Sequence, residues 1–197
     1  MAEIAIKGNS KMGQNVYLYN LPAKDTCTPT HWCLYGRNGK PACYALRNNF
    51  CLPTVIEAAK KRLEISKQPD FVEKMSEFIR DKKVNYFRMH SSGDFYSNEY
   101  VQKWLEIAKN CPDTLFRSST RRLDLTDSII ELNSLSNVII RESLDLDRPE
   151  QQTSLPFSAL AHLPIVQRES CYKCPNDCDK CGFSCWKNRW NTCFDEH

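Results

Sequence analysis

Residues 171–197 carry six of the chain's eleven cysteines and not one Leu, Ile, Val, Met or Ala. A segment with so little aliphatic surface cannot close a core of its own, because buried apolar area is the main term that offsets chain entropy. Only Tyr172, Phe183, Trp186, Trp190 and Phe194 offer sizeable apolar groups there. Such a stretch folds when something staples it, and metal bound by thiolates contributes roughly 10–16 kcal/mol of apparent folding free energy in small zinc-held peptides. Eleven is an odd number, so no intramolecular disulfide scheme pairs every cysteine. The N-terminal MAEIAIKGNSKMG has no apolar centre of the kind an export signal needs. The expectation is a cytoplasmic protein, and in that reducing compartment many cysteines indicate metal or redox chemistry before disulfides.

The tail spacing is Cys171-x2-Cys174-x3-Cys178-x2-Cys181-x3-Cys185, with Cys193 beyond. Zinc sites usually join two close pairs across a dozen or more residues, whereas iron–sulfur clusters commonly draw several thiolates from one compact run. Cys174, Cys178, Cys181 and Cys185 are the expected ligands, Cys171 and Cys193 the alternates, and zinc the alternative metal. A second group, Cys27-x5-Cys33-x9-Cys43, with Cys51 beyond, lies among Pro29, Gly36, Gly39 and Pro41. That irregular backbone lets dispersed thiols converge. Three cysteines, Cys27, Cys33 and Cys43, would leave one iron of a [4Fe-4S] cluster open to a ligand, so one or two clusters are expected; ordinary buried thiols are the alternative.

Between the sulfur-rich ends the chain alternates. Its 197 residues, 41% hydrophobic and 26% charged, suit one soluble domain with an appendage. No stretch is long and apolar enough to span a bilayer. A net charge of +3 neither requires nor excludes a nucleic-acid partner. Apolar spacing predicts helices from Pro53, with Val55, Ile56, Ala59 and Leu63 inward, and from Asp70, then strand 84–90, helix 98–110, strand 114–120, a helix through DLTDSIIELN capped by its aspartate, and strand 137–144. Strands alternating with helices imply parallel pairing in a partial (β/α) barrel or an open parallel sheet. The polar run 147–154 reads as a linker, giving an α/β core over 1–150 and a metal-bound tail over 151–197 packed on it.

In such folds ligands meet the carboxyl ends of strands. The first clear strand ends in Arg88-Met89-His90-Ser91-Ser92-Gly93-Asp94-Phe95. There Gly93 permits close backbone approach, Asp94 and Ser92 can accept hydrogen bonds, and His90 can ligate or carry a proton. The plainer reading is a loop in which Asp94 or Ser97 caps the next helix. Arg117 to Arg122 and Arg141-Glu142 end the following strands, and arginines on one rim suit a carboxylate or phosphate ligand. Ser92, Gly93, Asp94, His90 and Arg117 are therefore the candidate ligand-binding residues.

Leu21-Pro22-Ala23 ahead of Cys27, Cys43-Tyr44-Ala45, the run from Arg88 to Tyr100 with its SGDFYS-x-EY core, and Cys185-Trp186 together resemble the phage "gene product 88" domain family across nearly the whole chain. The resemblance implies a phage or mobile-element protein acting in the host cytoplasm, without naming a reaction. The layout also resembles, more distantly, radical S-adenosylmethionine enzymes. There three cysteines after the first barrel strand hold a [4Fe-4S] cluster, a glycine-rich acidic motif at the next strand end contacts the methionine moiety, and a cysteine-rich tail holds an auxiliary cluster. That likeness would give Cys27, Cys33 and Cys43 the first role and Ser92, Gly93 and Asp94 the second, although the superfamily's usual spacing is C-x3-C-x2-C. Three functions follow as alternatives: an iron–sulfur, radical-type enzyme with a small-molecule ligand; a zinc- or cluster-stabilised module binding nucleic acid through Lys173, Lys180, Trp186, Lys187, Arg189 and Trp190; and an electron carrier or redox sensor.

Overall fold

The computed structural model describes residues 4–13 and 15–196. Strands β1 (Ile6–Lys7) and β2 (Val16–Leu18) form an antiparallel pair. The cysteine-bearing connection after β2 holds α1 (His31–Tyr35) and two 3-10 turns. Then come α2 (Pro53–Lys67), α3 (Phe71–Asp81), β3 (Tyr86–Arg88), α4 (Asn98–Asn110), β4 (Leu115–Thr120), α5 (Thr126–Asn133), β5 (Val138–Leu144), β6 (Phe157–Leu160), α6 (Pro164–Arg168), β7 (Cys171–Lys173), α7 (Ser184–Lys187) and β8 (Asn191–Phe194). One sheet takes all eight strands in the order β1-β2-β3-β4-β5-β6-β8-β7, and every neighbouring pair after the first is parallel. It is the open-sheet form of the α/β expectation. No helix among the described residues is long and apolar enough to cross a membrane.

The alternation of β4, half-buried and buried by turns, separates its two faces. Phe87 and Phe116 point to the helix layer, where Trp104 of α4 meets them at 5.5 Å and 6.4 Å between ring centres. Phe71, Met75 and Ile79 of α3, spaced by one helical turn, complete that core. Helix α4 starts where Ser97 accepts the Tyr100 amide N–H, so Ser97, not Asp94, is its cap. The cap expected at Asp124 does not form. Asp124 is held by the Arg122 guanidinium at 2.6–2.8 Å, and a 3-10 turn over Leu123–Leu125 precedes α5. Helix α2 also differs: it buries Ala59, Arg62 and Ser66 and leaves Ile56 exposed. The seam it lies on is polar, with the Arg62 Nε–H donating to the Asn20 carbonyl and Ser66 meeting the Tyr96 hydroxyl.

The run 147–154 joins two paired strands, β5 and β6. Glu142 closes it by accepting the Gln152 and Thr153 amides. The tail adds β7 and β8 to the same sheet and borrows its core. Trp186 of α7, with Phe183, packs on Val16, Leu18, Tyr86 and Leu115 on the face away from the helices. A third cluster joins Trp32 and Cys33 of α1 to Leu144, Phe157, Ala159 and Leu163, seating the first cysteine group above the carboxyl ends of β5 and β6.

Candidate thiol centres and the strand-end rim

All eleven cysteines are free thiols. Cys27, Cys33 and Cys43 lie on the segment between β2 and α2, with Cys33 and Cys43 packed against the cluster that includes Leu144 and Ala159. Burial first, then the charges of Asp94 and Cys43, push the Cys27 thiol up to about 12. Burial also raises Cys43, opposed by the Ala45 amide and added to by the neighbouring Cys33. The loop is pinned by Asp145, which is fully buried at the end of β5. Its Oδ2 accepts the Thr30 hydroxyl at 2.8 Å and the Arg121 Nε–H at 3.0 Å, and lies 3.8 Å from the Cys33 sulfur. Thr30 in turn caps α1 by accepting the Cys33 amide. Cys51 is exposed.

The Ser91–Asp94 loop lies against the start of this cysteine segment. Asn20 Oδ1 accepts the amides of Ser91 and Ser92, the Ser92 hydroxyl donates to the Leu21 carbonyl, and the Leu21 amide donates back to Ser92. Gly93 has φ +81°, and a Cβ there would meet Leu21 Cβ at 2.6 Å and Thr26 Oγ1 at 2.7 Å. Its close approach is thus to the cysteine segment. Asp94 accepts the Phe95 and Arg121 amides, and burial raises its carboxyl to about 6 against those bonds. Cys27, Thr28, Arg121, Arg122 and Arg148 line a cleft of about 330 Å³ beside it.

His90 is enclosed rather than displayed, its ring nitrogens meeting Ser118 Oγ at 3.2 Å and the Tyr100 hydroxyl at 3.1 Å. Burial, then the Arg88 charge, lowers it to about 3. A histidine lowered this way binds fewer protons folded than unfolded, so its stabilisation is whole above pH 6.5 and is lost as pH falls toward 3, about 1.4 kcal/mol per unit. Asp94 runs the other way: its contribution is full below pH 3.8 and lost as pH rises through 6. Denaturant titrations at pH 7.5 and 5 should therefore show His90→Gln losing less stability on acidification than the native chain; an equal loss would mean the ring charges freely.

In the tail, Cys174, Cys178, Cys181 and Cys185 form the second set. Burial raises Cys178 to about 11; the Arg117 charge opposes this, while Cys181, Cys174 and Cys185 add to it. Cys174 is likewise raised by burial and feels Cys185, Arg117 and Cys181. Burial and the neighbouring Cys193 raise the Cys171 thiol to about 12. Among the described residues no three His, Cys, Asp or Glu side chains are gathered to hold a metal ion.

Two rim expectations need correction. Arg141 is 0% exposed and turns from the rim into the tail, donating to the carbonyls of Cys185, Asn188 and Trp190. Glu142 serves the β5–β6 connection. Arg117 lies mid-strand with its guanidinium 5.3 Å from the Trp186 ring centre. Sequence reasoning passed over Asn20 and Asp145. An acid directly after strand 138–144 was the available signal for Asp145; Asn20 carried none, since its partners lie about seventy residues away.

A family model described as Gene product 88 matches residues 3–188. The span takes in both cysteine groups and the Ser91–Asp94 loop. No curated protein and no solved structure matches the chain.

Proposed function

The chain belongs to the gene product 88 family, and from its two thiol groups we propose that it is an iron–sulfur protein with a radical S-adenosylmethionine-like reaction centre. The observation that carries the reading is the sorting of the cysteines: three on the segment at the strand-end rim and four in a compact run of the tail, all free of disulfides. A cluster interposes several iron and sulfide atoms between its cysteines, so it asks for thiols facing a shared space rather than a single point. Three thiols suit a cluster with one open iron, and four suit one ligated wholly by protein.

A cluster held there by Cys27, Cys33 and Cys43 would supply an electron for reductive cleavage of S-adenosylmethionine. The chain's own residues do the positioning. Asp145 and Thr30 hold Cys33 in place. Ser92 and Gly93 lock the neighbouring loop against the cysteine segment, and Asp94 keeps a carboxyl beside Cys27 as acceptor for a ligand amine. In the tail, the Arg141 charge offsets those of the Cys185 and Cys171 thiolates.

The nucleic-acid alternative draws less support. Trp186 is buried, Lys173 and Lys180 are ion-paired with Asp195 and Asp177, and Arg189 donates to the Asn133, Leu135 and Val138 carbonyls.

Protein purified without oxygen should be brown and carry about eight iron atoms and as many sulfides per chain, as two [4Fe-4S] clusters require. Cys27→Ser with Cys43→Ser, or Cys174→Ser with Cys181→Ser, should each remove half. Dithionite-reduced protein should form 5′-deoxyadenosine from S-adenosylmethionine, and only with the rim cysteines intact. Zinc in place of iron, or a colourless chain that remains ordered at both ends, would overturn the reading. Reversible reduction without cleavage would favour the electron carrier.

A further inference from the structure

The sheet face turned away from the helices carries a charge arrangement that the thiols leave unexplained. Arg88 and Arg117 are register partners on the parallel strands β3 and β4. Register partners project from the same face, on strands about 4.8 Å apart. Like charges set directly opposite each other destabilise a sheet. On the helix side the adjacent pair, Phe87 and Phe116, is an ordinary aromatic contact at 5.8 Å. Two guanidiniums at the next position call for an anion.

None of their partners supplies one. Arg88 donates to the His90 carbonyl at 3.0 Å and the Tyr44 hydroxyl at 3.3 Å, and its third nitrogen lies 3.8 Å from the Met12 sulfur. Arg117 rests on Trp186, and its Nε is buried without a hydrogen-bond partner. Among the described residues neither guanidinium has an ion pair. The tail covers part of this face: Trp186 lies over Arg117, and Ile139 and Arg141, on the same face of β5, are buried. Arg88, Arg117, Ser119 and Ser143 remain half-buried.

We propose that Arg88 and Arg117 form a binding site for the carboxylate or phosphate group of a small-molecule ligand. The planar fork of a guanidinium matches both anions in bidentate geometry, and two forks side by side select for one between them. The Tyr44 hydroxyl, bonded to Arg88 and to the Ser91 carbonyl, continues the site toward Cys43, the next residue in the chain. A ligand anchored by its anion on the sheet thus extends toward the rim thiols. Its role as the substrate of that centre rests on the iron–sulfur reading; binding of the anion does not.

The rival role for Arg117 is counter-charge to the tail thiolates, since it acts on Cys174 and Cys178. Calorimetric titration of the intact, anaerobically purified chain with inorganic phosphate and with malonate, at fixed ionic strength, separates the two roles when metal content is measured on the same samples. Saturable binding at one site is expected, weakened about tenfold or more in both Arg88→Met and Arg117→Met, as loss of a charge-assisted bond implies. Lys173→Met, which removes an exposed ion pair of the tail, should bind as the native chain does. The proposal fails if the native chain shows no saturable binding or if both variants bind unchanged. It also fails if Arg117→Met loses metal and anion together while Arg88→Met keeps the anion, because Arg117 would then serve the tail. A folded, metal-free chain that still binds phosphate through both arginines would sink the iron–sulfur reading and leave this site standing.

Discussion

Arg141→Met is expected to release the cysteine-rich tail from the sheet while leaving the helix-side core folded. The guanidinium is fully buried and donates to the Trp190 carbonyl at 3.1 Å, Cys185 at 3.0 Å and Asn188 at 2.6 Å. Burial, and then the charge of Arg117, lowers its pKa to about 10, so it remains a cation at neutral pH. Methionine keeps much of the volume and removes every donor. The buried Cys185 carbonyl and the partly buried Asn188 and Trp190 carbonyls would then lack partners, and with the latter two regaining water the loss should be on the order of 3 kcal/mol. Against a typical stability of about 5–15 kcal/mol that is a large fraction, concentrated in one segment. Limited proteolysis at Lys187 and Arg189 should become fast in the variant while cleavage within α2 to α4 stays slow. Unchanged resistance at those sites would mean that thiol-bound metal alone holds the tail.

Gly93→Ala is expected to have the second large effect, at the rim. The backbone there has φ +81°, a conformation that costs a residue with a side chain roughly 1–2 kcal/mol. The new methyl would stand 2.6 Å from Leu21 Cβ, 2.7 Å from Thr26 Oγ1 and 3.0 Å from the Leu21 carbonyl carbon. Two of those are fixed parts of the chain, so the loops must separate, adding about 1–3 kcal/mol of overpacking. Separation breaks the Thr26–Asp94 contact, in which the Asp94 amide donates to Thr26 Oγ1 at 3.2 Å. The midpoint in denaturant should drop and, on the proposed two-cluster reading, iron should fall by about half. A variant of native stability would mean that the loop moves aside without cost.

Several elements were legible because local rules decided them. Helix 98–110 follows from its apolar stripe and the serine before it. What was not legible depends on distant partners. Arg141 follows an apolar run and suggested a rim ligand, yet its three acceptors lie 44 to 49 residues further on. Asp124 looked like a helix cap because nothing local shows that Arg122 will take its carboxylate. The tail, poor in aliphatics, seemed to depend on metal alone; Val16, Leu18 and Leu115 from elsewhere in the chain supply the apolar surface it lacks.

The strand order at the far edge governs the timing of assembly. β8 lies between β6 and β7, so residues 191–194 fill a slot between two segments made before them. Until those residues leave the ribosome, 171–173 have no neighbour to zip against and 157–160 present an unpaired ladder. A nascent chain stalled before residue 191 would therefore display an adhesive border that β8 otherwise hides.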